Sequence, residues 1–368
     1  MERGNANRES NEANPPPRKK WGVSYEDMKY FSTFSGIGGF ELGIQQAYES
    51  NNEHAHISEE PQQEERPQRR KRSVDKHGIQ LHNRDGTAPL CVGYSEIDKY
   101  AVQIYEKHFN HKNYGDITGI EPKELPDFEL FVGGFPCQSF SIAGKRGGFS
   151  DTRGTMFFEI ARIVREKQPR LLLLENVKGL LSHDKGATFY TIITTLDELG
   201  YDIQWQVLNS KNFGVPQNRE RVFIVGHLRG TPRPQVFPFG EANPKDIEQL
   251  NQPTHSNDRI YGEDGISPTL NTMQGGRRQP FVADTRQMTR EGKPRLYDEV
   301  PTLNATMHKE PYNIVNESKI RRLTPTECER LQGFPDGWTE GLSDTQRYKT
   351  LGNAVTVNVI KSIMEKLL

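Results

Sequence analysis

Four consecutive leucines at positions 171–174 stand between Arg170 and Glu175. Periodicity cannot classify a run this short, but its length suits a strand covered on both faces. Strands of that kind belong to parallel sheets with helices packed on either side, so the run constrains the fold strongly. A second four-residue apolar run at 222–225 repeats the signal. Around these runs the pattern alternates. Strand-like segments at 29–34, 90–94, 130–132, 171–174, 201–208 and 221–227 are interleaved with helical ones at 40–48, 99–109, 156–166 and 188–199. The expectation is an α/β fold with a mainly parallel sheet.

Outside this core the texture changes, and the sequence predicts several units. Residues 1–28 are polar and read as a disordered tail. A first, larger domain is expected over 29–230, interrupted at 51–89 by an insertion with seven acidic and seven basic side chains. Such a charge run reads as a solvated loop, the alternative being an accessory nucleic-acid contact. Residues 231–318 are rich in Pro, Asn, Gln and Thr and lack helical periodicity, and 319–368 return to regular structure; a smaller, irregular domain is expected over 231–335, with 336–368 returning to the first domain. Two echoing segments, Ser267-Pro268-Thr269-Leu270-Asn271 and Val300-Pro301-Thr302-Leu303-Asn304, lie inside the irregular domain. They read as two similar loop–strand units.

Composition narrows the function classes. The 48 Lys+Arg balance 49 Asp+Glu, which excludes binding of nucleic acid by bulk charge but not by a local basic face. Three cysteines, Cys91, Cys137 and Cys328, build neither a disulfide framework nor a CxxC zinc site. No metal is expected. A reduced cytoplasmic setting fits, and no apolar run approaches the roughly 20 residues needed to span a bilayer, so no membrane partner is expected.

Chemistry concentrates in a few segments. Phe34-Ser35-Gly36-Ile37-Gly38-Gly39-Phe40 joins a strand to a helix, where glycines let the backbone turn and approach a ligand. Glu96 follows the next strand, placed to accept a ribose hydroxyl pair, and Asp116 follows the next helix. Separately each is a surface carboxylate or a cap. Together with the turn they describe an adenosine pocket at the carboxyl edge of a sheet. Gly133-Gly134-Phe135-Pro136-Cys137-Gln138-Ser139-Phe140-Ser141 presents a thiol directly after a strand. Most lone cysteines are small core residues, but a thiol displayed in such a loop is a candidate nucleophile, its pKa lying closest to neutrality. Glu175-Asn176-Val177 places a carboxylate at the end of a buried strand, as a helix cap or an active-site acid. Gln217-Asn218-Arg219-Glu220-Arg221 opens another strand, either as an ion-paired edge or with two guanidinium groups aimed at an anion.

In this order the segments resemble the DNA (cytosine-5)-methyltransferases, above all the single-chain enzymes of bacterial restriction–modification systems. The likeness covers about residues 29–50, 90–230 and 319–366. It extends to Arg322-Leu323-Thr324-Pro325-Thr326-Glu327-Cys328-Glu329-Arg330-Leu331-Gln332-Gly333-Phe334-Pro335 and to Gly352-Asn353-Ala354-Val355. It implies a Rossmann-like methyltransferase sheet using S-adenosyl-L-methionine, with S-adenosyl-L-homocysteine as product, and double-stranded DNA as substrate. A cognate restriction endonuclease acting without a stable complex and a monomeric state complete the picture. By the resemblance Cys137 attacks cytosine C6, Glu175 hydrogen-bonds N3 and the exocyclic amine, Arg219 holds the O2 side and Arg221 orients Glu175 or Cys137. Phe34 and Ile97 lie against the adenine, with Asp116 on its amino group. Glu96 takes the ribose, while Gly36, Gly38, Gly39, Pro136, Asn353 and Ala354 surround the remainder of the cofactor.

The loop at 144–154 is expected to close over the flipped base, so Gln138, Ser141, Lys145, Arg146 and Arg153 are placed toward DNA. Arg277, Arg278 and Gln279 are side-chain types that read base edges. Cys91 and Cys328 are expected in packing. Many relatives carry Asp where this chain has Ser32, a departure expected to alter cofactor affinity. Two alternatives stand beside this reading: a tRNA cytosine-5 methyltransferase on the same fold, and a catalytically silent DNA-binding homologue.

Overall fold

The computed structural model describes residues 28–57, 89–136, 156–240 and 323–368, together with short strands at 260–262, 267–268, 281–283 and 320–322. Its centre is a six-stranded sheet. The strands are β1 (Lys29–Thr33), β2 (Leu90–Ser95), β3 (Leu130–Gly134), β4 (Leu171–Val177), β5 (Tyr201–Asn209) and, after the two-residue β6 (Gln217–Asn218), β7 (Glu220–Leu228). Their spatial order is β2-β1-β3-β4-β7-β5. Strands β2, β1, β3 and β4 run parallel, whereas β7 is antiparallel to both β4 and β5.

The four-leucine run behaves as its composition requires. Leu171 and Leu173 join a core on one face with Phe40, Ile44, Val359, Ile360 and Ile363. Leu172 and Leu174 join the opposite core with Phe157, Ile160, Ile163, Ile192 and Leu196. Strand β7 divides likewise, Phe223 and Val225 against Val222 and Ile224. A period of two on a sheet covered twice makes every position apolar. The covering helices are α1 (Gly39–Ile57) and, from the far end of the chain, one spanning Val357–Leu367 on the first face. On the second lie α3 (Met156–Lys167) and α4 (Ala187–Glu198). Helix α2 (Lys99–His108) follows β2, capped by the Asp98 side chain on the Tyr100 and Ala101 amides.

Helix α1 runs to Ile57, beyond the expected end at 48 and into the charged insertion. Residues 49–57 contain neither Gly nor Pro, so polarity by itself does not stop the helix. Helix α5 (Pro325–Leu331) starts with a capping box on Thr324 and Glu327. Its Cys328 and Leu331, with Leu323 and Phe334, pack against Ile37, Leu42, Ala101 and Ile104 of the α/β core. The chain is therefore packed on the α/β core again by residue 323. Helix α6 (Asp344–Asn353) and α7, the Val357–Leu367 helix, complete this return. Among the described residues no helix is long and apolar enough to cross a membrane.

The echoing segments are only partly described. Ser267–Pro268 forms a two-residue strand pairing parallel with β6 immediately before Arg219. The second segment lies outside the described residues.

Candidate active site

In an open α/β sheet, ligands bind at the carboxyl ends of the strands where the strand order reverses. Here the chain steps from β1 outward to β2 and then back across to β3 and β4, so the crevice lies above β1 and β3. The glycine turn stands at its mouth. Phe34 has φ +52° and Gly36 φ +57°, left-handed backbone that a bulky side chain adopts only under constraint. A Cβ on Gly38 would run into the Phe109 ring, whereas one on Gly36 would meet nothing within 4 Å. Gly38 is thus demanded by packing, and Gly36 by its left-handed backbone, with open space where a side chain would stand.

Glu96 closes the turn from the β2 side. Its Oε2 accepts from the Gly36 amide at 2.9 Å, and its Oε1 accepts from the Ile97 and Asp98 amides, each at 2.8 Å. Asn113 holds the same segment, its amide donating to Glu96 O at 3.2 Å. Ile97 is 73% exposed, an apolar side chain left in solvent beside a polar rim. Asp116 is exposed and caps the short turn at Ile117–Gly119 by accepting from the Thr118 amide at 2.9 Å. Asn353 is exposed at the end of α6, followed by buried Ala354. Ser32, the departure noted in the sequence, is buried and shares a hydrogen bond with Ser35 at 2.8 Å. Open space at Gly36, an oriented carboxylate at Glu96 and an apolar wall at Ile97 fit an adenosine group.

Beside the crevice, Gly134 on β3 pairs with Glu175 on β4, and Glu175 pairs with Phe223 on β7. Glu175 is 9% exposed, and its Oε1 meets Arg221 Nε at 3.1 Å. Burial pushes the Glu175 carboxyl up, while the Arg221 and then the Arg219 charges pull it back. Arg219 is more deeply placed, at 2% exposure, and donates from Nη2 to Gly352 O at 3.1 Å and Ala354 O at 2.9 Å. Burial lowers its pKa to about 9, with Arg221 adding to the effect and Glu175 opposing it, so it is charged at neutrality.

Cys137 lies outside the described residues, as do Gln138, Ser141, Lys145, Arg146, Arg153, Arg277, Arg278 and Gln279. Its approach is defined, however. Exposed Pro136 ends the described strand exit, and Asn176 donates from Nδ2 to Phe135 O at 2.9 Å. Sequence reasoning quoted Asn176 only as a motif letter. Its tether depends on β3 lying beside β4, which no local signal carries. The other cysteines are core residues: Cys91 is 7% exposed and Cys328 fully buried, and burial pushes both thiols up, Cys328 to about 12.

The sequence profile of C-5 cytosine-specific DNA methylases matches residues 77–368. The chain is 40% identical over 287 residues to the Type II methyltransferase M1.ScrFI of Lactococcus lactis subsp. cremoris, covering 74% of this chain and 71% of that one. It is 35% identical over 350 residues to M.NlaX of Neisseria lactamica (92% and 96%), and 34% identical over 310 residues to M.HhaI of Haemophilus parahaemolyticus (74% and 86%). Among solved structures, the S. pombe Dnmt2 methyltransferase superposes with TM-score 0.60 at 18% identity, covering 93% of this chain and 98% of that one, which establishes the fold. The sheet, its crevice and these relatives agree: the chain belongs to the C-5 cytosine-specific DNA methylases.

Proposed function

We propose that the protein methylates C5 of a cytosine in double-stranded DNA, using S-adenosyl-L-methionine and Cys137 as nucleophile. The observation that carries this reading is the buried Glu175–Arg221 pair, in register with Gly134, three residues before the thiol. Ring carbon C5 is too weak a nucleophile to take a methyl group unaided. Addition of the Cys137 thiolate to C6 forms an S–C6 bond and moves electron density to C5. Glu175, whose burial favours the protonated form, shares its proton with N3 as negative charge gathers there. Arg221 keeps the carboxyl aimed across the sheet edge. It is also the less buried of the two arginines, with side-chain exposure of 17%. Its Nε is engaged by Glu175 and its Nη1 by Glu220 O, while the Arg219 Nη2 holds two backbone carbonyls and the buried Arg219 Nε makes no hydrogen bond with the described residues, which supports Arg219 on the O2 side of the base. The bound cofactor supplies an electrophilic methyl group to C5. Loss of the C5 proton to water and cleavage of the S–C6 bond restore the aromatic ring and the free thiolate. A stacked base exposes neither face, so the cytosine must leave the helix.

Residues 34–39, 96–97, 116 and 353–354 would hold the cofactor, with Glu96 on the ribose and Ile97 against the adenine. The basic segments at 144–154 and 277–290 would meet DNA, and the irregular region before residue 323 would select the site. The enzyme would serve as the modification half of a restriction–modification system or as an orphan or phage methylase.

Transfer of a labelled methyl group to duplex DNA, compared with tRNA, tests the substrate. Incorporation confined to RNA refutes the DNA reading, and none into either with cofactor bound favours a silent homologue. Cys137→Ser should abolish transfer and retain cofactor binding, whereas wild-type turnover would remove Cys137 as nucleophile.

A further inference from the structure

Two segments assigned to the cofactor lie far apart in sequence: the β2–α2 turn carrying Glu96 and Ile97, and the end of α6 carrying Asn353 and Ala354. One ion pair joins their supports. Lys349 Nζ on α6 meets Asp98 Oδ2 at 2.6 Å across 251 residues. Asp98 holds three things together. Its Oδ1 accepts from the Tyr100 and Ala101 amides at 2.9 and 3.3 Å, its own amide donates to Glu96 Oε1, and its Oδ2 takes Lys349. Burial works against the Asp98 charge, but Lys349 and the two helix amides outweigh it and hold the carboxyl below its usual range. Glu96 in turn grips the Gly36 amide. At its other end α6 is anchored by Arg219 on Gly352 O and Ala354 O. The polar contacts therefore run from the glycine turn through Glu96, Asp98, Lys349 and α6 to the arginine beside Arg221.

We infer that Asp98 and Lys349 are a positioning pair that clamps α6 against the β2–α2 turn and sets the width of the cofactor crevice. Neither side chain touches the reacting atoms. Their effect is on how well Glu96 and Asn353 are presented, so it falls on cofactor affinity and not on the methyl-transfer step. This rests on the cofactor reading given above. At side-chain exposures of 24% and 27% the pair is partly screened, which limits its worth.

Titration calorimetry with S-adenosyl-L-homocysteine tests the pair in the full chain. Asp98→Asn retains the helix cap and Lys349→Met retains the aliphatic stem. Each should weaken binding roughly fivefold. The double variant should be no worse than either single one, and Lys349→Arg should recover most of the loss. In turnover, KM for the cofactor should rise while kcat at saturation stays within about twofold. Salt supplies a measurement that needs no variant fold: wild-type affinity should fall as ionic strength rises, and Asp98→Asn should flatten that dependence. Unchanged affinity in both single variants, strictly additive losses, or a fall in kcat without a rise in KM would overturn the clamp. A wild-type protein that binds no S-adenosyl-L-homocysteine would overturn the cofactor reading beneath it.

Discussion

Glu41 sits in the first turn of α1, two residues past Gly39, and is 1% exposed. Its Oε1 accepts from the Tyr105 hydroxyl at 3.1 Å, and that hydroxyl also meets His111 Nδ1 at 2.9 Å. A carboxylate in this position is poorly solvated. Burial raises its pKa from 4.5 to about 7; Ser32, the helix amide and Tyr105 pull it back, and the Glu96 charge adds a further push. Between those two values the folded chain keeps a proton that the unfolded chain has lost. Stability must therefore fall as pH rises from 4.5 and level off above about 7. At about 1.4 kcal/mol per unit the full loss is about 3 kcal/mol. Glu41→Gln keeps the shape and the acceptor for Tyr105 but cannot ionise. Urea unfolding of wild type and variant, followed from about pH 5 to about pH 8, should show the variant gaining about 2–3 kcal/mol relative to wild type across that range. Comparing the two cancels every other titrating group. Parallel curves would mean that Glu41 is not held neutral by its burial, and the reasoning would fail.

Arg347→Met should be costly elsewhere. Glu329 is fully buried and accepts from Arg347 at 2.9 Å and from the Gly337 and Thr339 amides at 2.7 and 2.8 Å. Removing its cation should cost about 3–5 kcal/mol, read as a large fall in Tm. At the glycine turn, Gly38→Ala should disturb folding itself because the new methyl meets the Phe109 ring. Gly36→Ala should cost about 1 kcal/mol of stability for its positive φ yet weaken cofactor binding disproportionately, as calorimetry would show.

Much of the fold was legible because its signals are local. The runs at 171–174 and 222–225 reported strands covered on both faces, and the helices at 99–108, 156–167 and 187–198 begin and end within a residue or two of expectation. The polar extension of α1 to Ile57 was not legible, since it carries no apolar stripe to mark a helix. The return to regular structure after residue 318 was legible, but not what it packs on, because Cys328 and Leu331 acquire their meaning only from Ile37 and Leu42 nearly three hundred residues earlier. The glycine turn, Glu96, Glu175 and both arginines were visible as residue types at strand ends. Asn176 and Asp98 were not, since an amide or a cap looks the same whether or not it holds a site together.

The sequence by itself determined the α/β class and the order of the chemical segments, and it marked Cys91 and Cys328 as packing residues. Hydrophobic period, turn residues and motif order are properties of neighbours along the chain. Only the tertiary structure decided which of those segments act together. The antiparallel placement of β7 between β4 and β5 puts the amino end of one strand beside the carboxyl end of another, and so sets Arg221 against Glu175. The same folding-back of α6 gives Arg219 to the Gly352 and Ala354 carbonyls and Lys349 to Asp98. Such pairings follow from strand register and side-chain packing over long separations, where no local pattern in the chain can encode the partner.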